Sequence, residues 1–492
     1  MKKSAVLISS QKDPFTFRCQ PIFREISYQN PFDVYKKVRS ENSFLLESLK
    51  GPEQISRYSF IGIEPYLSFR AKDGLVETDY LGRNTVAYRK PLQCLRELVK
   101  PVSQEPVEGL PPFQGGAAGM LSYDFVRYFE KLPSIAEDDL HIPDAHFFMF
   151  DRIIAFDLKK EKCWIIICPG ARHIVPGCSD ISKSREELRE EALAHIERIT
   201  LLIEQDSEQV DGETDRKTVA ICAETDKEQY MAMVQRAKEY IAAGDIFQAN
   251  LSLRLSADIG DADPLVIYEI LRGVNPSPFA AYIDFGDYQI VSSSPERLVR
   301  VNGRAVDTRP IAGTRPRGKD LQGDDEMKAE LLLNEKERAE HIMLIDLERN
   351  DMGKVCNYGS VHVDELMTTE QYSHVIHIVS NVRGRLAKGM DCFDVIRATF
   401  PGGTITGVPK VRCMEIIDEL EQKRRGFYTG SLGYIGFNGN MDFNIIIRTF
   451  LIKKGKAYVQ AGAGIVADSE PEREYYESLK KAEALINTLR SL

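Results

Sequence analysis

The sequence has no apolar run long enough to span a membrane and no excess of basic residues. Its longest apolar stretches, such as Cys163 to Cys168, are short, whereas a spanning helix needs roughly 20 apolar residues. The opening residues, MKKSAVLISSQKD, lack the full apolar core and cleavage site of a secretion signal. Lys and Arg number 64 against 74 Asp and Glu, a formal net charge of −10, whereas nucleic-acid binders need a basic surface. We therefore expect a cytoplasmic protein that binds neither membranes nor nucleic acids.

The cysteines lack the pairing of a disulfide framework. Nine are scattered along the chain, an odd number, which indicates reduced thiols when no secretion signal is present. The nearest group is Cys163, Cys168 and Cys178 with His173 between them, and its spacing is not that of a zinc knuckle. No cysteine lies in the Gly-x-Cys-x-Gly pattern of a glutaminase nucleophile.

Composition and element pattern predict a large folded protein. With 492 residues, 43% hydrophobic and 28% charged, the chain can bury a sizeable core. Residues 1–168 are rich in short strands, 169–218 combine a helix with a polar linker, and 219–492 alternate strands with helices. This pattern favours an α+β fold, in which large antiparallel β-sheets pack as a sandwich with helices on the outside.

Residue periodicity predicts individual elements in the last part of the chain. The predicted helices are Asp226 to Ala243, Asp325 to Asp346 and Glu472 to Arg490. Alternation predicts a hairpin of Tyr288 to Ser294 with Arg297 to Val301, and a strand from Phe443 to Ile452.

Two pairs of glutamates have a spacing that could serve a metal ion. Glu337 and Glu340 are three residues apart in a helical stretch, and Glu474 and Glu477 repeat this spacing near the C-terminus. Residues at i and i+3 share a helix face, so two such pairs brought together would offer the oxygen ligands of a Mg²⁺ site. Spacing alone is more typical of solvated charged faces.

Glycine-rich turns and a histidine are further candidates. The segment PGGTITGVPK, from Pro401 to Lys410, resembles a phosphate loop but lacks its Gly-Lys-Ser/Thr ending. Gly462 and Gly464 follow an apolar strand, and backbone amides there could hold a carboxylate. His377 lies in an apolar, strand-like run, where a core role is usual. Alone, each feature is more typical of ordinary structure.

Ordered motifs in the second half resemble those of the chorismate-utilising family. They are GDIFQANLS (244–252), SSSPERL (292–298), RPIAGTRPRG (309–318), NEKERAEHIMLIDLERND (334–351), YSHVIHIVS (372–380), PGGTITGVPKVRCMEII (401–417), DFNIIIRT (442–449) and GAGIVADSEPEREYYESLKKAEAL (462–485). The family includes the large subunits of anthranilate synthase and 4-amino-4-deoxychorismate synthase, and isochorismate and salicylate synthases. FLLES (44–48), RYSFIG (57–62) and GGAAGMLSYDFVRYFEKLP (115–133) resemble the N-terminal domain of the two ammonia-using members. The resemblance thus makes 1–168 an anthranilate-synthase-like domain and 219–492 the chorismate-binding catalytic domain.

The resemblance implies a role for each matching residue. Glu296 would be the general acid that protonates the leaving 4-hydroxyl of chorismate. His377 would lie near the ring and the pyruvyl group. The four glutamates would hold Mg²⁺, which would bind and polarise the ring carboxylate. The remaining expected substrate contacts are Thr314, Thr404, Tyr428, Arg448, Gly462, Gly464 and Lys481.

Gln248 indicates that ammonia is the nucleophile. Isochorismate and salicylate synthases resemble each other in having a lysine base at the matching position, which activates water. A neutral glutamine cannot do so. Because no cysteine has the glutaminase pattern, the expected source of ammonia is a separate glutamine amidotransferase subunit.

Two products of amination remain open. Ala312 resembles anthranilate synthase, because aminodeoxychorismate enzymes often have a lysine there that attacks C2 and forms a covalent intermediate. The marks that resemble the aminodeoxychorismate subgroup are Asn250, NPSPFAAY (275–282), PGGTITG (401–407), YTGSLGY (428–434) and DFN (442–444). We favour 4-amino-4-deoxychorismate, on the way to p-aminobenzoate and folate, with anthranilate plus pyruvate as the alternative.

The segment NPSPFAAY also bears on regulation. In anthranilate synthase the matching segment helps line a pocket for feedback inhibition by tryptophan, and Ala280 and Ala281 would reshape it. If the product is anthranilate, tryptophan inhibition is expected through Glu47, Ser48, Asn275, Pro276 and Phe279.

Overall fold

The computed structural model of the chain describes residues 17–175, 183–205, 219–318, 320–371 and 375–492. The strands of these residues, β1 to β26 in chain order, are Phe17–Cys19, Ile22–Ile26, Phe44–Glu47, Tyr58–Gly62, Leu67–Lys72, Leu75–Tyr80, Arg83–Tyr88, Val102–Gln104, Gly116–Leu121, Ala145–Phe150, Arg152–Asp157, Lys162–Ile167, Ile221–Ala223, Gln248–Asp258, Phe279–Asp284, Gln289–Ser294, Arg297–Asn302, Ala305–Thr308, Ile311–Pro316, His362–Gln371, Val375–Arg385, Gly407–Val408, Ser431–Gly436, Met441–Asn444, Thr449–Lys453 and Lys456–Ile465. The α-helices, α1 to α10, are Pro31–Val38, Pro91–Val99, Arg185–Glu204, Lys227–Ala242, Pro264–Val274, Leu321–Leu333, Glu335–Gly353, Cys392–Thr399, Lys410–Leu420 and Pro471–Arg490. Short 3₁₀ helices cover Tyr123–Tyr128 and Ala171–His173.

Two twelve-stranded sheets form the body of the fold. The first has the order β19-β21-β18-β17-β24-β23-β9-β10-β5-β6-β7, and β20 also pairs with β21. The second has the order β13-β14-β26-β25-β16-β15-β3-β4-β11-β12-β2, and β22 also pairs with β14. Neighbouring strands in both sheets are antiparallel, as the register of β14 against β26 and of β9 against β23 illustrates. The predicted α+β fold with large antiparallel sheets is confirmed.

The two sheets pack face to face around an aromatic core. Phe60 and Trp164 of the second sheet meet Phe148 and Tyr434 of the first. Phe113 fills the same layer and stacks on Tyr434, with ring centroids 4.4 Å apart. Large rings bury much apolar area per residue, so this layer is a main source of stability.

Helices cover the outer faces of the sandwich. On the first sheet, Ile345 of α7 and Phe393 of α8 join the apolar layer. On the second sheet, Ile199 of α3, Val234 of α4 and Leu485 of α10 do the same. The predicted arrangement, with helices outside a sandwich, is therefore confirmed.

Both sheets contain strands from the N-terminal and the C-terminal part of the chain. In the first sheet, Leu121 of β9 pairs with Ser431 of β23. In the second sheet, Glu47 of β3 pairs with Ala280 of β15. The predicted regions 1–168 and 219–492 therefore complete each other's sheets. Between them, α3 packs on the second sheet, and the polar stretch 206–218 lies outside the described residues.

Capping side chains explain where the helices begin. Asp226 accepts the Gln229 N–H while the Gln229 side chain returns to the Asp226 N–H, and α4 begins in this capping box. The predicted single helix from Asp325 to Asp346 was wrong. The chain breaks at Asn334, whose side chain accepts the Glu337 N–H and starts α7 as a new helix.

The predicted hairpin was also wrong. β16 pairs in the second sheet and β17 in the first, so the chain crosses between the sheets at Pro295 and Glu296. The predicted strand from Phe443 to Ile452 is divided in the same way, because β24 belongs to the first sheet and β25 to the second. Alternation shows that a segment is a strand, but it does not show which strand lies beside it.

Within the described ranges, no helix is long and apolar enough to cross a membrane. The longest helices, α3 and α10, have 20 residues each, and both carry charged side chains in nearly every turn.

Candidate active site

Glu296 and Arg448 lie at the two crossings between the sheets. The Ile445 N–H donates to the Glu296 carbonyl oxygen at 3.0 Å, so the crossings are directly bonded to each other. Arg448 has a φ of 53°. This left-handed conformation is uncommon for a residue with a side chain, and it is often found at functional positions. Its carbonyl oxygen accepts the Ser293 N–H at 3.1 Å, which fixes the crossing to β16.

The Glu296 carboxyl group is buried and suited to carry a proton. Its side chain lies only 6% exposed, and the Thr404 hydroxyl donates to its Oε1 at 2.9 Å. Burial raises the pKa of Glu296 to about 7, and the Thr404 hydrogen bond limits that rise. A carboxyl group with this pKa is protonated for part of the time near neutral pH and can act as a general acid.

The Arg448 guanidinium lies near the Tyr428 side chain and has no neutralising counter-ion among the described residues. In the part of the chain that the structure describes, no hydrogen bond or ion pair reaches the Arg448 guanidinium. Burial lowers its pKa, which is the signature of a cation without a sufficient counter-ion. The buried Tyr428 side chain is close enough to Arg448 to influence its pKa. An arginine in such surroundings is prepared to bind a planar anion such as a carboxylate.

His377 lies near Arg448 and is a neutral imidazole. Its Nδ1 donates to the Gly313 carbonyl oxygen at 3.1 Å. Burial lowers the pKa of His377 to about 4, and the charge of Arg448 acts in the same direction. A neutral histidine with its proton on Nδ1 can offer its other ring nitrogen as a hydrogen-bond acceptor.

Gln248, Gly462 and Gly464 lie together on β14 and β26. In the antiparallel register, Asn250 is opposite Gly464 and Ser252 is opposite Gly462. A Cβ atom at Gly464 would come 2.4 Å from Gln248 Nε2, and one at Gly462 would come 2.9 Å from Asn250 Oδ1. The glycines are therefore needed because amide side chains lie across them.

Lys481 and the second glutamate pair lie on α10. Lys481 Nζ donates to the Gly462 carbonyl oxygen at 3.0 Å and pairs with Glu477 at 2.9 Å. Glu474, one turn before Glu477, is 9% exposed. The structure thus brings Gly462, Lys481 and Glu477 together, and their roles as substrate and metal ligands stay predictions.

The first glutamate pair lies on the first turns of α7. Glu337 Oε1 pairs with Arg315 at 2.7 Å, while its Oε2 is buried without a hydrogen-bond partner. A Cβ atom at Gly313 would come 2.6 Å from that Oε2. Gly313 also accepts the hydrogen bond of His377, so the first glutamate pair adjoins His377. Glu340 is half-buried on the same helix.

The residues present fit a divalent cation in part. A buried carboxylate oxygen that lacks a donor, as in Glu337, is the kind of ligand that Mg²⁺ takes. Among the described residues, however, no group of three or more His, Cys, Asp or Glu side chains is close enough to hold a metal ion. The four-glutamate Mg²⁺ site stays a prediction.

Ala312 and Thr314 lie on β19, the edge strand of the first sheet. Ala312 is opposite Ile378, and Thr314 is opposite His377. Ala312 offers no nucleophile beside the candidate site. The Thr314 side chain lies outside what the structure describes, so its predicted substrate contact stays a prediction.

Three of the five predicted regulatory residues border a separate cavity of about 640 Å³ between the sheets, and Asn275 and Pro276 are not part of its lining. Glu47, Ser48 and Phe279 line it, together with Ala280 and Ala281. Glu47 accepts hydrogen bonds from the Tyr268 hydroxyl at 2.6 Å and from Arg272 at 2.9 Å, so its carboxylate is already neutralised. The Asn275 side chain bonds to Ser293 Oγ at 3.2 Å, and Pro276 is half-buried next to it.

Two buried residues next to the candidate site were missed in the sequence. Arg425 donates to both Glu421 carboxylate oxygens, at 3.0 and 2.8 Å, and to the Asn250 carbonyl oxygen at 2.6 Å. Its guanidinium also lies over the Tyr428 ring, 5.5 Å from the centroid. The i,i+4 spacing of Glu421 and Arg425 was a signal, but on a sequence it is the same as that of a surface pair.

The lysine of the glycine-rich turn has a structural role. Lys410 Nζ donates to the Pro401 carbonyl oxygen at 2.9 Å and pairs with Asp351. It therefore closes the turn on itself and does not point a cation at a phosphate. Thr404 of the same turn bonds Glu296, so the turn serves the candidate general acid.

Comparisons with known proteins place this geometry in a family. The family model described as "chorismate binding enzyme" matches residues 24–487. Aminodeoxychorismate synthase component 1 of Bacillus subtilis (strain 168) is 44% identical over 469 residues, which cover 95% of each chain. Anthranilate synthase component 1 of Thermus thermophilus is 44% identical over 464 residues, 94% of this chain and 95% of that one. The crystal structure of anthranilate synthase component I from Streptococcus pneumoniae has a TM-score of 0.75 at 36% identity, covering 87% of this chain and 92% of that chain.

Proposed function

This chain belongs to the chorismate-binding enzyme family, and from that premise we propose that it is the large subunit of an ammonia-dependent, chorismate-aminating synthase. The proposed product is 4-amino-4-deoxychorismate. A separate glutamine amidotransferase subunit would supply the ammonia, because no cysteine of the sequence has a glutaminase pattern.

The observation that carries the proposal is the buried Glu296 carboxyl at one sheet crossing, together with Arg448, an arginine without a counter-ion among the described residues, at the other. Loss of the 4-hydroxyl from chorismate requires a proton on the leaving oxygen, and Glu296 with its pKa near 7 can donate it. The C4–O bond then breaks and the oxygen leaves as water. The ammonia nitrogen forms the new bond to the ring, and its surplus proton can return to the Glu296 carboxylate.

Chorismate carries two carboxylates, and two sets of residues suit them. Tyr428 offers a buried hydroxyl, and the neighbouring Arg448 offers a half-buried guanidinium. Lys481 and the strand at Gly462 offer a cation and backbone groups about one helix turn from the second glutamate pair. His377, neutral and fixed by Gly313, would orient the substrate between them without adding charge.

Glu337, Glu340, Glu474 and Glu477 are the residues that would hold Mg²⁺. When bound, the ion would neutralise and polarise the ring carboxylate of chorismate. The chain contributes the buried Glu337 oxygen that has no donor, and Arg315 keeps the other oxygen of that carboxylate in place.

Gln248 supports ammonia rather than water as the nucleophile. Its side chain lies over Gly464, and its Oε1 is buried without a hydrogen-bond donor. A neutral amide cannot remove a proton from water, but its oxygen can accept a hydrogen bond from ammonia and position it.

Amination at C4 is supported by the subgroup motifs around Asn250 and NPSPFAAY and by the similarity to the Bacillus subtilis aminodeoxychorismate synthase. The reaction would then proceed by direct attack of ammonia, since Ala312 offers no nucleophile for a covalent intermediate. The same Ala312 favours the second candidate, anthranilate synthase, and the Thermus thermophilus enzyme of that name is as similar to this chain, at 44% identity. In that case the cavity at Glu47, Ser48 and Phe279 would be the place for tryptophan inhibition.

One incubation distinguishes these functions. The purified chain is mixed with chorismate, Mg²⁺ and ammonium, and the products are identified by mass and fluorescence. A product that keeps its pyruvyl group and yields p-aminobenzoate after addition of a lyase supports the proposal. Fluorescent anthranilate with released pyruvate would establish the second candidate. No chorismate consumption would refute both.

A further inference from the structure

Glu348 of α7 is a half-buried acidic side chain that the amination steps do not use. Its Oε2 lies 2.8 Å from the hydroxyl oxygen of Thr308 on β18. The proposed general acid, Glu296, is close enough to influence the pKa of Glu348. A carboxyl group that is shielded from water beside another acid is stable when it is protonated or when a cation neutralises it.

Glu296 is followed directly by a bulge in β17. The register against β24 shifts between Arg297 and Val299, so Leu298 is the additional residue on β17. A bulge bends its strand and changes the direction of the side chains around it, and bulges are frequent next to active sites. The shape of this bulge therefore affects the direction of the Glu296 carboxyl group, two residues before Leu298.

The Thr308 side chain joins this bulge to α7. Its hydroxyl oxygen lies 2.8 Å from the Leu298 carbonyl oxygen and 2.8 Å from Glu348 Oε2. Thr308 is buried, so water does not replace either contact. We call the three groups in this row, the Leu298 carbonyl, the Thr308 hydroxyl and the Glu348 carboxyl, the bulge strut.

The hydrogen bonds of the bulge strut favour a proton on Glu348. A threonine hydroxyl has one hydrogen, and a carbonyl oxygen has none. If Glu348 were a carboxylate, two acceptors at 2.8 Å would compete for the single hydrogen of Thr308. If Glu348 is protonated, its O–H donates to Thr308 and Thr308 donates to Leu298. The protonated form therefore satisfies both short contacts.

The charges that act on Glu348 favour the same form. Burial raises the pKa of Glu348 well above its usual value, and the charges of Glu296 and Asp351 act in the same direction. The Thr308 hydrogen bond and Lys410 act in the opposite direction, but Lys410 already pairs with Asp351. Once Glu296 is ionised, its negative charge makes release of the Glu348 proton still harder.

The same turn of α7 also contacts the glycine-rich turn that carries Thr404. A Cβ atom at Gly403 would come 2.3 Å from the Leu347 side chain, which precedes Glu348. Thr404, next to Gly403, donates to Glu296 Oε1. α7 therefore reaches both supports of Glu296, the glycine-rich turn through Leu347 and the bulge through Glu348.

Resting on the proposed amination, we propose that Glu348 is a positioning residue for Glu296 and acts as a protonated hydrogen-bond donor to Thr308. Through Thr308 it fixes the bulge that directs the Glu296 carboxyl group. Because Glu348 is neutral, it adds no second negative charge when Glu296 has given its proton to the leaving oxygen. An ionised Glu348 would hold the proton on Glu296 more firmly and would oppose this step.

The first test compares two substitutions of similar size. Glu348→Gln keeps a neutral side chain that can donate to Thr308, whereas Glu348→Leu cannot donate. With ammonium as nitrogen source, we expect kcat within about 2-fold of the wild type in Glu348→Gln and about 3- to 10-fold lower in Glu348→Leu, the usual worth of one hydrogen bond. The KM for chorismate should change less than about 2-fold in both, since Glu348 acts on Glu296 and not on the substrate. Asp346→Leu, at an exposed position of the same helix, is the control and should leave kcat unchanged.

The second test asks whether Glu348 acts through Thr308. Thr308→Val removes the hydroxyl group and keeps the shape of the side chain. In this background Glu348→Leu should lower kcat no further, because the bulge strut is already broken. An additional loss as large as that of Glu348→Leu in the wild type would overturn the role of Thr308 as the link.

The pH profile is a readout that a merely structural role would not change. The kcat of the wild type should fall as the pH rises through about 7, where Glu296 ionises. Glu348→Gln replaces one neutral side chain by another, so the fall should stay at the same pH. If Glu348 were ionised in the wild type, glutamine would remove a negative charge and move the fall to lower pH. A shift of about half a pH unit or more in that direction would overturn the proposal.

The outcomes separate the role of Glu348 from the proposed function. If the wild type aminates chorismate and Glu348→Leu is as active as Glu348→Gln, the positioning role is wrong and the amination stands. Equal losses in both variants would also overturn the role, because glutamine keeps the donor. Should Glu348→Leu fail to fold, as judged by circular dichroism, the kcat and the pH profile of Glu348→Gln still decide. If the wild type makes no aminated product, the proposed function fails and the positioning role fails with it.

Discussion

Two clusters of buried charge lie side by side in this protein, and their charges are balanced differently. In the first, Arg425 is 1% exposed and bonded to Glu421, and the two partners neutralise each other. In the second, the buried Glu296 carboxyl and the half-buried Arg448 guanidinium have no such partners among the described residues. Burial alone would lower the pKa of Arg425, but Glu421 outweighs it and the pKa is raised, whereas that of Arg448 is lowered.

This difference in charge balance separates a structural role, that of Arg425, from a chemical one, that of Glu296 and Arg448. Every donor direction of Arg425 is used, since it also bonds the carbonyl oxygens of Ile405 and Asn250. It ties the end of α9 to β14. Arg448, by contrast, retains its hydrogen-bonding capacity, and Glu296 is protonated for part of the time near neutral pH. A folded protein tolerates such unbalanced groups chiefly where a ligand completes them.

Replacing Arg425, the cation that is paired with Glu421, should have the largest effect on stability. Arg425→Met leaves Glu421 buried and unpaired, and we expect a loss of about 3–5 kcal/mol in the free energy of unfolding. Denaturant unfolding followed by circular dichroism measures it. Arg448→Met is the control and should cost little, because it leaves no buried anion behind. Equal losses in the two variants would mean that the clusters do not differ in the way described.

Glu296→Gln should lower activity about 10²- to 10⁴-fold and yet stabilise the fold at alkaline pH. The pKa of folded Glu296 is raised to about 7 from 4.5, so the folded state holds the proton more tightly than the unfolded state. Its stabilising contribution is complete below pH 4.5 and is lost as the pH rises through 7. At pH 8 and above, the wild-type carboxylate costs up to about 3 kcal/mol that glutamine does not.

Two measurements check this prediction. Thermal unfolding of the wild type and Glu296→Gln should coincide near pH 4 and diverge above pH 7, with the variant more stable. The kcat of the wild type with ammonium should fall as the pH rises through about 7, because the acid is then ionised. A variant that is less stable at pH 8 would contradict the assignment of Glu296 as an unbalanced acid.

Arg448→Met should lower kcat/KM for chorismate about 100-fold, because a charge-assisted hydrogen bond to a carboxylate is worth about 1.5–3 kcal/mol. The KM for ammonium should change little, since ammonia is not an anion. Steady-state kinetics with each substrate varied in turn shows the split. Arg448→Lys should be compared with Arg448→Met, because lysine restores the positive charge but not the planar, bidentate geometry of the guanidinium. Full activity in Arg448→Met would exclude the residue from substrate binding.

Sequence patterns predicted the layers of the fold but not the pairing of strands. Alternation identified the strands on either side of Glu296, yet the hairpin prediction failed because β16 and β17 join different sheets. Similarly, the helix from Asp325 to Asp346 was predicted as one piece, although Asn334 carries the side chain of an N-cap. Sheet partners depend on contacts far apart in the chain, which local periodicity does not report.

The candidate site was predicted from the family resemblance and not from spacing. Glu296, His377 and Arg448 are far apart in the sequence, and only the fold brings the two crossings together. The i,i+4 pair Glu421 and Arg425 has the pattern of a surface ion pair but is buried. The sequence therefore could not show which buried charges are neutralised by a partner, whereas the structure does.

The smallest expected effect concerns Glu337, whose carboxylate is balanced on one oxygen only. Arg315 pairs with Glu337 and with Glu330, but Glu330 is exposed, whereas Glu337 Oε2 is buried without a donor. Glu337→Gln should raise the Mg²⁺ concentration for half-maximal activity about 10-fold, roughly 1.4 kcal/mol. It should also reduce the thermal stabilisation that Mg²⁺ alone confers without chorismate.

Glu330→Gln is the matched control, because it removes a carboxylate from the same arginine on the solvent side. It should leave the Mg²⁺ dependence and the Mg²⁺-induced thermal shift unchanged. If both variants behave like the wild type, Glu337 is not a metal ligand, and its buried oxygen is only the partner of Arg315. If both weaken Mg²⁺ binding equally, the cause is the position of Arg315 and not the unbalanced oxygen. Only a loss confined to Glu337→Gln supports the view that an unbalanced buried charge marks the place of a ligand.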